Sequence, residues 1–352
     1  MKPRPVLILM LLLAFPVLHL TAKSPGKSTG QSRTFEFTYS FTVKDLPATA
    51  RRVRVWIPLA SSDRNQKVVV KRISSPAPTH VTRTRLGDRI LYAEIHQPKQ
   101  PAATFSVVYK VTRREYSKGD FAELMRYNND PSRPPATLAR FLRPDRLIPI
   151  NGKLKALSDE NTQGKQGTVE KAHALYDYVF KTMRYDKLGT GWGRGDAVWA
   201  CDAKHGNCTD FHSVFIAMAR AAGIPAKFEI GFPLPENVRE GPIPGYHCWA
   251  EFYVDGPGWV PVDISEAWKN PAKHDYFFGT LDANRIQLSV GRDLVLSPKQ
   301  DGPPVNYFVY PYVEVDGKPF EALQDKFAFR ELDVSKSVAL DGGFGATGGT
   351  GP

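Results

Sequence analysis

The sequence predicts an α+β protein, and three observations carry that reading. Residues 34–114 alternate apolar and polar side chains with a period of two. Residues 168–222 hold two stretches whose apolar residues recur at helical spacing. From residue 226 onward the chain returns to short apolar runs bounded by turn signals. A chain of 352 residues also exceeds one typical core, so an N-terminal β-sandwich and a separate mixed domain are expected.

Residues 1–22 pair a basic start, MKPRP, with the apolar run VLILMLLLAFPVLHLTA. That reads as a secretory signal peptide, because Pro16 and His19 interrupt a run already short for a membrane span. The expected location is secreted or periplasmic, with no stable membrane insertion after cleavage. Residues 23–33 are a polar, flexible linker. In residues 34–114, RTFEFTYSFTV, RRVRVWIPLA, KVVVKRIS, RILYAEIH and TFSVVYKVTR read as sandwich strands, with turns at Gly87-Asp88 and Pro98 to Pro101. This region has no cysteine, and its expected role is structural or in positioning substrate.

Residues 115–167 read as a connector with one short helix near Pro135 to Leu142. A mixed domain over residues 168–290 follows. Its first helix places Val169, Ala172, Leu175, Tyr176, Val179 and Met183 on one face, with Thr168 as the expected N-cap. A glycine-rich aromatic loop, GTGWGRGDAVWACDAKHGN, leads to the second helix. There Asn207 is the N-cap, Asp210 lies in the first turn, and Phe211, Val214, Phe215, Met218 and Ala222 form the apolar face. Gly223 and Pro225 end it. AKFEIGF is a strand, PLPENVREGPIPG a long loop, and HCWAEFYV and GWVPVD are strands joined at Asp255-Gly-Pro-Gly. Residues 291–335 read as a C-terminal β extension and residues 336–352 as a disordered glycine-rich tail.

The net charge of +11 favours anionic surfaces such as envelope polymers. The basic residues are scattered and form no patch interleaved with stacking aromatics, which argues against nucleic-acid binding.

Cys208, His247 and Asp263 each occupy a context that suits one catalytic task. A thiol titrates near ~8.5 unless a helix N-terminus or a neighbouring imidazole stabilises its anion. Cys208 starts a helix, His247 opens a strand that could bring the base, and Asp263 closes the next strand and could orient it. The Cys208 amide is a candidate oxyanion donor, and Trp199, Asn207 and Trp249 are candidates for assisting the oxyanion or lining the acyl site. A competing reading takes Cys201, His205, Cys208 and His212 as a zinc cluster of C-x3-H-x2-C-x3-H spacing. That pattern is not a common zinc spacing and leaves Asp263 idle. No cofactor or metal is otherwise expected. Three cysteines in an exported chain leave one over, and a Cys201–Cys248 disulfide would pin the loop before the helix while leaving Cys208 free. Strand alternation points Cys248 away from the face that carries His247.

The segments G-N-C-T-D-F-H, A-R-A-A-G-I-P-A, G-Y-H-C-W-A-E-F and G-W-V-P-V-D resemble the transglutaminase-like superfamily, in its bacterial and archaeal cysteine-protease-related branch. The resemblance spans about residues 168–290. It implies a papain-like core with Cys208 as nucleophile, His247 as base and Asp263 as orienter, and acyl transfer at amide bonds of a protein or peptide. One departure stands out: animal cross-linking members carry Trp directly after the cysteine, and this chain has Thr209. No D-x-D-x-D-G calcium loop is present either. Hydrolysis is therefore the expected outcome, with glutaminyl cross-linking as the alternative enzyme and a non-catalytic envelope-binding module as the alternative of another class.

Overall fold

A computed structural model describes residues 30–129 and 136–333. The expected signal peptide, most of the linker and the glycine-rich tail lie outside the described residues. The first six strands are β1 (Ser32–Val43), β2 (Arg52–Leu59), β3 (Gln66–Ser74), β4 (Thr79–Arg83), β5 (Arg89–His96) and β6 (Ala103–Arg114). Along β1 every second side chain, Phe35, Phe37, Tyr39, Phe41 and Val43, is buried, so one face of the sheet makes the core.

The sandwich is not built from residues 34–114 alone. Three C-terminal strands, β12 (Tyr312–Val315), β13 (Lys318–Pro319) and β14 (Leu323–Glu331), close it. One sheet runs β14–β1–β6–β3, and β14 pairs with β1 from Phe35↔Glu331 to Val43↔Leu323. The other runs β13–β12–β2–β5–β4. The segment expected as a separate C-terminal extension thus supplies sandwich strands. Its pairing partners lie almost three hundred residues upstream, as in Phe35↔Glu331, where local periodicity carries no information. Residues Glu240–Pro242, inside the expected long loop, add a short strand β8 to the outer edge of β14.

The mixed domain contains α1 (Gly152–Thr162), α2 (Gly167–Thr182), α3 (Ala197–Ala203) and α4 (Cys208–Ala221). It also contains β7 (Ala226–Pro233), β9 (His247–Val254), β10 (Gly258–Val262), α5 (Ile264–Lys269) and β11 (Arg285–Val290), with an antiparallel sheet ordered β10–β9–β7–β11. Helix α1 falls within the expected connector. Only Leu154 and Ser158 of it are buried, too little to print an apolar stripe on the sequence, and the Ser158 hydroxyl donates to the Met218 carbonyl at 2.8 Å. The expected short helix is a 3-10 helix, Ala136–Leu142. Helix α2 is capped from a distance: Asn128 Oδ1 accepts from the amides of Val169 and Glu170, while Thr168 donates its hydroxyl to Asn129.

Helix α4 is the centre of the domain. All residues from Cys208 to Arg220 are buried, so every face meets protein. Asn207 and Asp210 form a capping box at its start, which satisfies amides that the helix leaves without acceptors. Its end follows the expected pattern: Gly223 has φ +79° and the Ile224 amide donates back to Ala219.

Strand β7 slips register at Ile230/Gly231 against β11. A Cβ at Gly231 would stand 1.8 Å from the Ile286 carbonyl oxygen, a backbone atom fixed in the sheet. Gly231→Ala should therefore destabilise the protein by at least about 2 kcal/mol in urea unfolding, at the upper end of ordinary overpacking costs. A loss of under about 0.5 kcal/mol would show that the two strands separate freely there.

Candidate active site

The first turn of α4, the start of β9 and the end of β10 converge. Cys208 stands at the first helical position, where amides lack intrahelical acceptors and the dipole favours an anion. Its thiol hydrogen-bonds with His247 and with Cys248. His247 Nε2 hydrogen-bonds Asp263 Oδ2 at 2.7 Å, which leaves Nδ1 as the ring nitrogen for the thiol. Asp263 is fully buried and caps α5, its Oδ1 accepting from the Glu266 amide and the Ser265 hydroxyl. The structure thus brings together all three residues expected to carry the chemistry.

Arg285, from β11, completes the group. It is 2 % exposed and donates from Nη1 to Asp263 Oδ2 at 2.8 Å. A second carboxylate, Asp282, accepts from the same guanidinium. The guanidinium lies over the Trp249 ring at 4.9 Å, and Trp249 donates its indole N–H to Glu229 at 2.8 Å. Trp249 is therefore a prop for Arg285, and its donor is already used. It does not supply an oxyanion contact as expected.

These contacts decide the protonation states. Burial opposes the charged form of His247, but the Asp263 carboxylate and then Cys208 outweigh it and push the imidazolium up to about 10. Burial also opposes the Asp263 anion, yet His247 and Arg285 hold its carboxyl well below the usual range. For Cys208, burial alone would raise the thiol, but hydrogen bonds from Cys248 and His247 bring it well below an ordinary cysteine. Burial and the neighbouring Cys208 push Cys248 well above an ordinary thiol. These shifts favour a Cys208 thiolate facing a His247 imidazolium.

Cys201, Cys208 and Cys248 are all free. The expected Cys201–Cys248 bridge is not formed. His247 and Cys248 do point to opposite faces of β9. The face opposite His247 is the one that α4 covers, so Cys248 lands on the helix's first turn, 3.7 Å from Thr209 Oγ1 and 3.9 Å from His212 Nδ1. Cys201, in α3, neighbours Tyr178 and Lys153 instead.

The zinc reading fails on His212. Its Nδ1 donates to the Cys208 carbonyl at 2.8 Å and its Nε2 accepts from the Ile264 amide at 3.1 Å, so both ring nitrogens are occupied by backbone. Burial keeps this ring neutral, consistent with that tautomer. Among the described residues no group of three or more His, Cys, Asp or Glu is placed to hold a metal ion.

The remaining candidates are held by contacts around the start of α4. Asn207 spends its side chain on the Thr209 amide and on the Tyr246 hydroxyl, both at 2.9 Å. Trp199 packs against Gly191, where a Cβ would come within 2.7 Å of the ring, and against His205. Asp210 ties the glycine-rich loop to the helix by accepting from the amides of Gly193 and Gly195. Arg292 holds the same loop through the carbonyls of Arg194 and Gly195. Tyr246 bonds Thr209, and Tyr307 donates to the Gly193 carbonyl. Arg285, Arg292 and Tyr307 were not legible beforehand. The signal for Arg285 is an arginine at the start of the short strand RIQLSV, in step with the apolar-polar alternation of Ile286, Gln287, Leu288 and Ser289; Tyr246 carries one by adjoining His247.

Residues 155–264 match the family profile of the transglutaminase-like superfamily. An uncharacterized protein of Haemophilus influenzae is 27% identical over 361 aligned positions, covering 91% of this chain and 95% of that protein. The uncharacterized protein YebA of Bacillus subtilis is 25% identical over 135 positions, 34% of this chain and 18% of its own length. Among solved structures, a candidate cysteine protease from Cytophaga hutchinsonii superposes with a TM-score of 0.60 at 15% identity, covering 86% of this chain and 92% of that one, a likeness of fold. The matched segment contains Cys208, His247 and Asp263 together with α4, β7, β9 and β10, and it is this segment that is similar to the transglutaminase-like superfamily.

Proposed function

We propose that this protein is a thiol-dependent hydrolase of amide bonds in proteins or peptides, working outside the cytoplasm. The observation that carries the reading is the buried chain Arg285–Asp263–His247–Cys208, which favours a thiolate at a helix N-terminus. The apolar opening of residues 1–22 supports export.

The geometry supports the following reaction. The Cys208 sulfur attacks the amide carbonyl carbon, and the developing oxyanion meets the Cys208 amide at the helix start. As the C–N bond breaks, the His247 imidazolium gives its proton to the leaving amine. Neutral His247 then takes a proton from water, the hydroxyl oxygen attacks the thioester carbon, and the C–S bond breaks to release a carboxylic acid and restore the thiolate. Asp263 and Arg285 stay charged throughout and hold the ring. Thr209 supports water over an amine as acceptor: its hydroxyl is committed to Tyr246, and it offers no aromatic wall to exclude water.

Three measurements test this reading. Cys208→Ala should lower turnover of a peptide substrate by at least about a thousandfold while leaving the circular dichroism spectrum intact. Unchanged turnover removes the thiol from the reaction. In a competition between water and a millimolar labelled primary amine, released acid should exceed coupled product; mostly coupled product without added calcium would make the protein a transferase that uses the same residues. The profile of kcat/KM against pH should be bell-shaped. Its acid limb lies well below an ordinary cysteine, where protonation removes the thiolate, and its alkaline limb lies near 10, where the imidazolium loses the proton it must donate. A profile that rises through pH 8 to 9 would mean an ordinary, unpaired thiol.

A further inference from the structure

A cavity of about 410 Å3 lies between the sandwich and the mixed domain, lined on the latter side by Glu229 and Glu251. Its walls include Asp63, Arg64 and Arg113 from the sandwich side, and Lys227, Glu229, Glu251 and the hairpin residue Trp259 from the other. The volume is in the range of small-molecule sites and holds far more than a single water.

Arg113 sets its chemistry. The residue is 2 % exposed, yet among the described residues it makes no ion pair within 4 Å, and its one hydrogen bond is a long contact from Nη1 to Gln66 Oε1 at 3.4 Å. Its buried Nε–H has no acceptor. A buried guanidinium without a carboxylate is costly, and arginine's fork geometry matches a planar two-oxygen anion. Lys227, Lys118 and Asp63 nearby are already engaged. Lys227 pairs with Glu229 at 2.6 Å and Glu251 at 3.0 Å, and Lys118 donates to the Pro257 carbonyl at 2.7 Å. Asp63 Oδ1 accepts from the amides of Asn65 and Gln66. Burial weighs most against the Arg113 charge and lowers its pKa; Asp63, and more weakly Glu229 and Glu251, favour the charge from a distance, while Arg285 across the interface opposes it.

We propose that this cavity binds a small organic monocarboxylate, with its two oxygens on Arg113 and its apolar part against Tyr116 and Trp259. The neighbouring carboxylates select a monoanion. Asp63 and Glu229 line the same cavity and Lys227 is already paired with Glu229, so a second negative charge on the ligand would be repelled by them. The aromatic walls favour a carboxylate with a ring or short aliphatic chain over a bare one.

The site shares no side chain with Cys208, His247 or Asp263, so it can be tested apart from catalysis. The probe is sodium benzoate, added to the full chain at constant ionic strength and followed by calorimetric titration and melting temperature. Sodium acetate and inorganic phosphate are the comparators. Benzoate should bind one to one and raise the melting temperature, acetate should bind more weakly, and phosphate should not bind at this site. Arg113→Met keeps the packing volume and removes the charge. It should fold and lose benzoate affinity at least about tenfold, the scale of a charge-assisted hydrogen bond. Lys118→Ala, altering a wall residue already engaged elsewhere, should change affinity less than Arg113→Met. No benzoate-specific heat or shift in the wild-type protein, equal affinity in Arg113→Met, or preference for phosphate would each overturn the assignment.

Discussion

The interaction on which the rest depends is the buried ion pair between Asp263 and Arg285, with His247 on the same carboxylate oxygen. Asp263 Oδ2 receives His247 Nε2 at 2.7 Å and Arg285 Nη1 at 2.8 Å, in a place with no exposure to water. A carboxylate there is tolerable only because two cations and the start of a helix share its charge. Removing either cation leaves a buried charge uncompensated, a loss of the order of 3–5 kcal/mol in comparable pairs. The sheet order follows the same need, since β9, β10 and β11 must each deliver one member to a single point.

The centre of the domain is unusually polar for a core helix. Thr209, Asp210, His212, Ser213 and Arg220 of α4 are all buried, and each has named partners. These contacts fix the helix start relative to the glycine-rich loop and to β9. Such a network, once satisfied, favours one arrangement of the Cys208 turn over its alternatives. The sandwich adds to this from outside: Gln66 of β3 bonds the backbone of Gln287 in β11, so the two domains share a hydrogen-bonded seam next to the strand that carries Arg285.

Much of this was legible in the sequence where the cause is local. The N-cap at Asn207, the glycine stop at Gly223 and the alternation of β1 are all set within a few residues, and each is seen where the periodicity places it. The convergence of Cys208, His247 and Asp263 was readable because each stands at the end of an element, where side chains are free to meet. What was not legible depends on long-range pairing. The closure of the sandwich by β14, the capping of α2 by Asn128 and the arrival of Arg285 all join residues that no short window contains together. Cys248 shows the limit of a pattern rule: alternation gives its face correctly, but only the packing of α4 says what covers that face.

The central claim is that Asp263 and Arg285 hold His247 as an imidazolium beside a Cys208 thiolate. The most direct measurement is nitrogen-15 NMR of the histidine-labelled full chain, titrated from pH 5 to pH 11 in wild type and Asp263→Asn. The account predicts that both His247 nitrogens in the wild type keep imidazolium shifts through neutral pH and titrate near 10, and that the variant titrates at a lower pH. A neutral His247 in the wild type at pH 7, or a midpoint unmoved by Asp263→Asn, would contradict it.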